Sequence, residues 1–235
     1  MDHLLVERAL PLVAHEQYAS EDPFVERFHR LAGVVGFNCN RLIEQTALSS
    51  DRSAAWLAGD VFEMRPSTRA QVSETKVTAM SRSSESNRDV WTTLSAGLKG
   101  QCQELIDEAL AVIRRWQAGK GLILAPQDLL VCAGIRILRY PPNPRVQART
   151  VHGDLLPGHV DESAVTLLLP GGGLQVWRNA WCPVTPNHIQ LLIGGRFPDV
   201  HGFRVEPTPH RVVPASSGPR VSIVVFFDCQ RLFNG

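Results

Sequence analysis

The sequence lacks paired cysteines, long apolar runs and clusters of basic residues. Its five cysteines are scattered and no CxxC motif occurs, which argues against a disulfide framework and predicts reduced thiols in a cytoplasmic protein. No apolar run approaches the length of a membrane span, and the N-terminal residues carry charges where a signal peptide needs an apolar stretch. We therefore expect neither a membrane protein nor a secreted one.

Lysine is scarce, at positions 76, 99 and 120 only, and the net charge is +1. Without a basic run there is no electrostatic case for a nucleic-acid or membrane partner. The contents of hydrophobic (44%) and charged (20%) residues are those of a globular protein, and 235 residues suit one domain rich in β-structure. We expect a single domain over 1–235, with a mixed helical region at 1–121 and a β core at 122–235.

Short helices and strands are predicted in the first 60 residues. The apolar run at 10–14 favours a strand, and acidic residues before Pro23 mark the start of a helix. Gly33 and Gly36 predict the end of that helix and the start of a second strand. Residues 41–58 are predicted to be helical again.

A polar segment separates this region from the longest predicted helix. Residues 67–88 are rich in Ser, Thr and Arg, which predicts an exposed loop, either a plain linker or a lid over an active site. Residues 91–116 carry one apolar stripe at helical spacing, typical of a helix packed on a sheet. After Gly121 the helical period disappears. Short apolar runs between turn residues then predict a sandwich or barrel, with strands at 135–140, 164–169, 174–177, 190–193, 210–213 and 221–229.

The most informative stretch is His159-Val160-Asp161, with His210 downstream. Residues i and i+2 of a strand face the same side, so His159 and Asp161 are predicted to point together. Two imidazoles and one carboxylate are the ligands that hold non-haem Fe(II) with open coordination positions. Zinc could use the same residues, and a purely structural role for the histidines is the alternative to a metal.

A second His-x-Asp pattern, His152-Gly153-Asp154, lies just before the first. Its glycine and the Leu-Leu-Pro-Gly that follows are typical of a loop, whereas the predicted strand at 164–169 comes soon after His159. We therefore favour His159 and Asp161 as the metal ligands.

Arg220 and Ser222 share one face of a predicted strand by the same alternation. An inward arginine requires an anion, because an unpaired buried charge is costly. A guanidinium beside a hydroxyl suits one carboxylate, and Tyr140 could add a phenol donor. The alternative for Arg220 is an internal salt bridge.

In this order, the motifs resemble those of the Fe(II)/2-oxoglutarate-dependent dioxygenase superfamily, and within it the isopenicillin N synthase-like branch. The resemblance covers about residues 130–227. It rests on a strand that ends in Tyr140-Pro141-Pro142, on Gly158-His159-Val160-Asp161, on Pro209-His210-Arg211 and on Arg220-Val221-Ser222.

The resemblance implies a mainly β fold with flanking helices, namely a double-stranded β-helix or jelly roll with N-terminal helices packed on one sheet. It implies Fe(II) at His159, Asp161 and His210, O2, and 2-oxoglutarate as cosubstrate. Arg220 and Ser222, with Tyr140, would bind the far carboxylate of 2-oxoglutarate. Such an enzyme would hydroxylate, desaturate or cyclise a small molecule, and we expect a role in specialised metabolism.

Two other functions remain open. The first is an Fe(II) oxidase on the same fold that uses no 2-oxoglutarate, in which Arg220 binds a carboxylate of the substrate. The second is a jelly-roll binding protein without catalysis, although the presence of all five motif residues argues against it.

Overall fold

The computed structural model describes residues 15–48, 60–66, 75–81, 88–89, 96–140, 154, 156–199, 205–214 and 220–232, with backbone only at 39–48, 60–66, 75–81, 88–89, 96, 137–140 and 220. The helices and strands in chain order are β1 (His15–Tyr18), α1 (Glu26–Leu48), β2 (Asp60–Pro66), β3 (Thr75–Ser81), β4 (Arg88–Asp89), α2 (Ala96–Gly119), β5 (Leu130–Tyr140), β6 (Leu156–His159), β7 (Val165–Leu169), β8 (Leu174–Trp177), β9 (Trp181–Pro183), β10 (Ile189–Ile193), β11 (His210–Val212) and β12 (Arg220–Cys229). No helix in this part of the chain is long and apolar enough to cross a membrane.

The strands form two antiparallel sheets. The main sheet has the order β1-β10-β7-β12-β5-β2-β3-β4, and the small sheet has the order β6-β11-β8-β9. From β6 onward the chain crosses repeatedly between the two sheets, which is the connectivity of a jelly roll. The predicted fold class is confirmed, and all six strands predicted after Gly121 are present.

Each face of the main sheet buries apolar side chains. Between the sheets, Leu168, Leu192 and Val224 pack against Leu174 and Val176 of the small sheet. The opposite face is covered by α1 and α2, which belong to the larger apolar cluster. The stripe predicted on α2 is buried at every position that the structure describes, namely Leu98, Cys102, Leu105, Ala109, Val112 and Trp116; Leu94 lies outside the described residues. Burial of each large apolar side chain contributes about 1.5–3 kcal/mol, so α2 is held by the sheet.

The predicted end of the first helix at Gly33 to Gly36 is wrong, because α1 continues to Leu48. No strand forms at 34–37. A side chain at Gly36 would meet the Cδ1 atom of Ile223 at 2.7 Å, so Gly36 allows the helix to approach β12. The helix predicted at 41–58 is the continuation of α1 as far as Leu48, and the remainder lies outside the described residues.

The prediction of a loop over 67–88 is wrong for residues 75–81, which form β3 and pair with β2 along their whole length. The backbone partner compensates for the low apolar content of this segment. The N-terminal region thus adds β1 to one edge of the main sheet and β2, β3 and β4 to the other. The strand predicted at 10–14 and the possible lid at 67–74 and 82–87 lie outside the described residues.

A chain of polar groups, of which His15 and Gln190 are buried, attaches β1 to the rest of the fold. The guanidinium of Arg178 donates to Nδ1 of His15 at 2.6 Å, so the hydrogen of the neutral ring lies on Nε2. That Nε2 donates to Oε1 of the fully buried Gln190 at 2.7 Å. Burial first, and then the charge of Arg178, lower the pKa of His15.

The lowered pKa of His15 predicts that stability falls in mild acid. Below about pH 6.5 the unfolded chain binds a proton that the folded protein resists, so the free energy of unfolding falls as the pH drops. The loss is at most about 1.4 kcal/mol per pH unit, and it ends below the lowered pKa. Urea unfolding of metal-free wild type and His15→Gln between about pH 7.5 and 5 measures it. The variant should start less stable and fall less steeply; parallel curves would contradict the prediction.

Candidate metal centre

The three predicted metal ligands come together between the two sheets. His159 ends β6 and His210 begins β11, and the antiparallel register places them directly opposite each other. Their ring centroids are 4.3 Å apart. Oδ1 of Asp161 lies 3.6 Å from Nε2 of His159 and 3.7 Å from Nε2 of His210.

Asp161 reaches this position for a reason other than the predicted one. The strand β6 ends at His159, so alternation along a strand does not bring Asp161 to the same side. Instead, the backbone N–H of Gly195 donates to the carbonyl of Asp161 at 2.8 Å. Gly194 lies so close to the carbonyl of Ser163 that an added Cβ would be 1.9 Å from it. The Gly194-Gly195 turn therefore holds the segment that carries Asp161.

Both histidine rings are fixed in the tautomer that a metal requires. Nδ1 of His159 is 2.9 Å from the carbonyl of Pro157, and Nδ1 of His210 is 3.1 Å from the carbonyl of Thr208. A carbonyl only accepts, so each Nδ1 carries the hydrogen and each Nε2 lone pair is directed elsewhere. Both Nε2 atoms lie beside the Asp161 carboxylate, which orients them for one shared ion.

The second oxygen of Asp161 is also held. The hydroxyl of Thr166 donates to Oδ2 at 2.6 Å, and the Ser163 hydroxyl lies 3.0 Å from that of Thr166. Thr166 and Ser163 are buried. Neither residue was predicted from the sequence, although a threonine at an inward position of the apolar β7 was a visible signal.

Electrostatics keep a carboxylate and a neutral imidazole in this centre. Burial alone would raise the pKa of Asp161, but His159 and His210 in their protonated forms, together with the hydroxyl of Thr166, lower it. Burial lowers the pKa of His210. Burial also opposes protonation of His159, but hydrogen bonds to Asp161 and Pro157 outweigh burial and raise its pKa. The donor set therefore carries about one negative charge when both rings are neutral.

These residues fit a divalent metal ion. One ligand atom from each of His159, Asp161 and His210 lies within 4.8 Å of the other two, and no other such group occurs among the described residues. Metal–ligand bonds of about 2.1 Å place neighbouring donor atoms about 3 Å apart, so a small inward shift completes the site. Two imidazoles and one carboxylate leave coordination positions open, as in non-haem Fe(II) centres.

In the competing His-x-Asp pattern at residues 152–154, the aspartate contacts an arginine. Asp154 is buried, and Oδ2 of its carboxylate lies 3.7 Å from the guanidinium of Arg211. His152 lies outside the described residues. The described part of this pattern thus belongs to an ion pair.

The predicted carboxylate-binding residues lie on two paired strands. The register of β12 and β5 places Arg220 opposite Tyr140 and Ser222 opposite Leu138. Ser222 is buried, and its Oγ accepts a hydrogen bond from the backbone N–H of Gly171 at 3.0 Å. The hydroxyl hydrogen of Ser222 remains available for a second acceptor. For Arg220 and Tyr140 the structure describes the backbone only.

Thr166→Val is expected to weaken metal binding about 10- to 100-fold, because the hydroxyl that orients Asp161 is lost while the side-chain shape is kept. Anaerobic titration of metal-free protein with Fe(II) measures the affinity. Thr185→Val is the matched control, since the Thr185 hydroxyl accepts from Gln17 at an exposed position. Equal affinities in the two variants would argue against a role for Thr166.

Comparison with known proteins gives matches in sequence and in fold. Residues 130–228 match the family model of the 2OG-Fe(II) oxygenase superfamily. The 1-aminocyclopropane-1-carboxylate oxidase homolog 12 of Arabidopsis thaliana is 30% identical over 223 residues, an alignment that covers 90% of this chain and 54% of that protein. The chain therefore spans about half the length of the curated relative it matches.

Solved structures share the fold at low sequence identity. A full-length Neurospora crassa protein in complex with alpha-KG superposes with a TM-score of 0.56 and 19% identity, covering 92% of this chain and 73% of that one. The dioxygenase for auxin oxidation of rice gives a TM-score of 0.52 and 16% identity, with 91% and 72% covered. The matched region 130–228 contains the strands that carry His159, His210 and Ser222, and this region of the chain is similar to the 2OG-Fe(II) oxygenase superfamily.

Proposed function

We propose that this protein is a non-haem oxygenase that uses Fe(II), O2 and 2-oxoglutarate to oxidise a small molecule. His159, Asp161 and His210 bind the iron. Arg220 and Ser222, together with Tyr140, bind the far carboxylate of 2-oxoglutarate. The region 1–235 acts as one domain, and hydroxylation, desaturation or cyclisation in specialised metabolism remain the candidate reactions.

The observation that carries the proposal is the His-Asp-His centre with its hydrogen-bonded surroundings. Each histidine donates its Nδ1 hydrogen to a backbone carbonyl, which leaves Nε2 free to bind a metal. The Thr166 hydroxyl holds Oδ2 of Asp161 and leaves Oδ1 beside both rings. A histidine with a purely structural role needs no carboxylate shared with a second histidine, so this arrangement favours a metal centre.

When bound, the iron supplies O2 activation, in which 2-oxoglutarate is oxidised to succinate and CO2 while the second oxygen atom of O2 oxidises the substrate. The role of the protein's own residues is to bind and orient the metal and the cosubstrate. Asp161 supplies the anionic ligand, and the histidines supply neutral ones. Ser222 can donate its hydroxyl hydrogen to a carboxylate, because its oxygen already accepts from Gly171. Apolar side chains between the sheets, such as Leu168 and Val224, exclude water from the region behind these groups.

The test is an anaerobic titration with Fe(II), with and without 2-oxoglutarate, followed by a screen of small molecules for 2-oxoglutarate turnover. We expect one Fe(II) per chain and succinate formation that a subset of compounds stimulates. Protein that binds no Fe(II), or binds it without any 2-oxoglutarate turnover, would contradict the proposal. The second outcome would favour an Fe(II) oxidase or a binding protein on this fold.

A further inference from the structure

The backbone ladder is irregular beside the first histidine ligand. His159 lies opposite His210 and Leu156 lies opposite Val212, with a register shift between the two pairs. Two residues of β6, Pro157 and Gly158, therefore oppose one residue of β11, which is the pattern of a β-bulge. Proline has no backbone N–H to donate to a ladder. The regular ladder is thus interrupted directly beside the pair that carries both histidine ligands.

An aromatic ring covers this bulge on the side away from the metal. A Cβ atom added to Gly158 would lie 2.9 Å from Cζ2 and from Cη2 of Trp181, so the indole rests directly on the backbone of Gly158. Trp181 belongs to β9, at the opposite edge of the small sheet from β6. Its ring thus spans the outer face of the sheet, behind the strands that carry His159 and His210.

Arg211 completes the outer face of the sheet. Its guanidinium carbon lies 4.6 Å from the centroid of the Trp181 ring, and its Nε donates to Oε1 of Gln175 at 2.8 Å. The same guanidinium pairs with the buried Asp154 at 3.7 Å. Arg211 follows His210 directly in the chain. The Trp181 ring therefore contacts the residue next to each histidine ligand, Gly158 beside His159 and Arg211 beside His210.

We propose that Trp181 is a positioning residue of the metal centre, which braces the Pro157–Gly158 bulge and so fixes His159 relative to His210. Gly158 is required for this contact, because any side chain there would occupy the place of the indole. The role is separate from that of the ligands, since the indole acts on the outer face of the sheet. The inference rests on the proposed metal site.

Removal of the brace should affect metal affinity more than folding. Without the indole, the bulge can move outward, and the Nε2 atom of His159 then leaves the position that a shared ion requires. The ring covers only an outer, partly exposed face, so the apolar clusters of the fold remain in place. Changes in the surroundings of metal ligands typically weaken metal affinity about 10- to 100-fold, and we expect a loss in that range for Trp181→Leu.

The experiment titrates metal-free protein with Co(II), whose visible absorption reports coordination geometry. Trp177→Leu is the matched control, because Trp177 is exposed on the same face and packs edge-on against Trp181 at 5.2 Å. We expect Trp181→Leu to lose affinity and to change the Co(II) spectrum, and Trp177→Leu to retain both. Wild-type affinity and spectrum in Trp181→Leu, or equal losses in the two variants, would overturn the proposal.

A double-mutant cycle keeps the proposal testable if Trp181→Leu folds poorly. Gly158→Ala, with the indole present, should weaken Co(II) binding, because the new methyl group and the ring compete for the same space. With Trp181→Leu in the same chain the methyl group has room, so Gly158→Ala should cost little more. Additive losses in the cycle would overturn the proposal. Thermal unfolding of the metal-free variants separates folding from metal affinity.

The outcome for wild type separates this inference from the proposed function. If wild type binds no metal, the proposed metal site itself fails. If wild type binds Co(II) tightly and Trp181→Leu binds it equally well, the metal site stands and only the brace is refuted.

Discussion

Replacement of Asp161 by alanine is expected to abolish metal-dependent turnover. Asp161 is the one anionic member of the three-residue centre, and its Oδ1 lies beside both Nε2 atoms. The loss of a hydrogen-bond partner around a metal ligand already costs about 10- to 100-fold in affinity. Loss of the anionic ligand itself should therefore exceed about 100-fold. Metal analysis of purified protein and Fe(II) titration measure the effect.

Asp154→Ala is the control that tests the competing His-x-Asp pattern. Asp154 pairs with Arg211 on the outer face of the small sheet, so its removal leaves a mostly buried guanidinium without this carboxylate and should lower stability. At saturating Fe(II) the variant should still bind one ion per chain. One ion in Asp161→Ala and none in Asp154→Ala would assign the metal to the pattern at residues 152–154 instead.

The second half of the fold could be predicted from the sequence because its strands follow local patterns. Short apolar runs between turn residues mark β7, β8 and β10, and each is present. The two histidines were predicted to be ligands from their residue types and order, and the structure places them on paired strands. The reason given for pairing His159 with Asp161 was alternation along a strand, and it was wrong, because β6 ends at His159 and the Gly194-Gly195 turn positions Asp161.

Other features were missed because they depend on contacts that the local sequence does not show. From the local sequence, Gly36 is expected to end a helix, yet it lies inside α1. The residue is a glycine because Ile223 of β12 comes too close to leave room for a side chain. Residues 75–81 read as a polar loop, yet β2 provides a partner for each of them. The brace between Trp181 and Gly158 joins the two edge strands of the small sheet. Ile223 and Trp181 are distant in sequence from the glycines they contact, so no local pattern could reveal those two contacts.

The second large effect is expected on the KM for 2-oxoglutarate. The substitution Arg220→Lys tests whether Arg220 binds this cosubstrate. Lysine keeps the positive charge but loses the two-pronged guanidinium that matches a carboxylate. One charged hydrogen bond contributes about 1.5–3 kcal/mol, so the KM for 2-oxoglutarate should rise about 10- to 100-fold. Fe(II) affinity should stay nearly unchanged, because β12 belongs to the main sheet while both histidine ligands lie on the small sheet.

Arg231→Lys is the matched control for this change. Arg231 pairs with Asp128 at 3.0 Å and is half exposed, so the same substitution there should leave the KM for 2-oxoglutarate unaltered. A rise in both variants would point to a general loss of stability. A rise in neither would remove Arg220 from the cosubstrate site.

Succinate formation decides between the oxygenase and the oxidase. In the oxygenase each turnover of the substrate yields one succinate, and Arg220→Lys reduces both products together at limiting 2-oxoglutarate. In the oxidase the product forms at full rate without 2-oxoglutarate, no succinate appears, and Arg220→Lys raises the KM for the substrate instead. Ser222 serves either carboxylate, because its hydroxyl accepts from Gly171 and keeps its hydrogen to donate. The identity of the ligand whose KM rises therefore assigns the carboxylate that Arg220 binds.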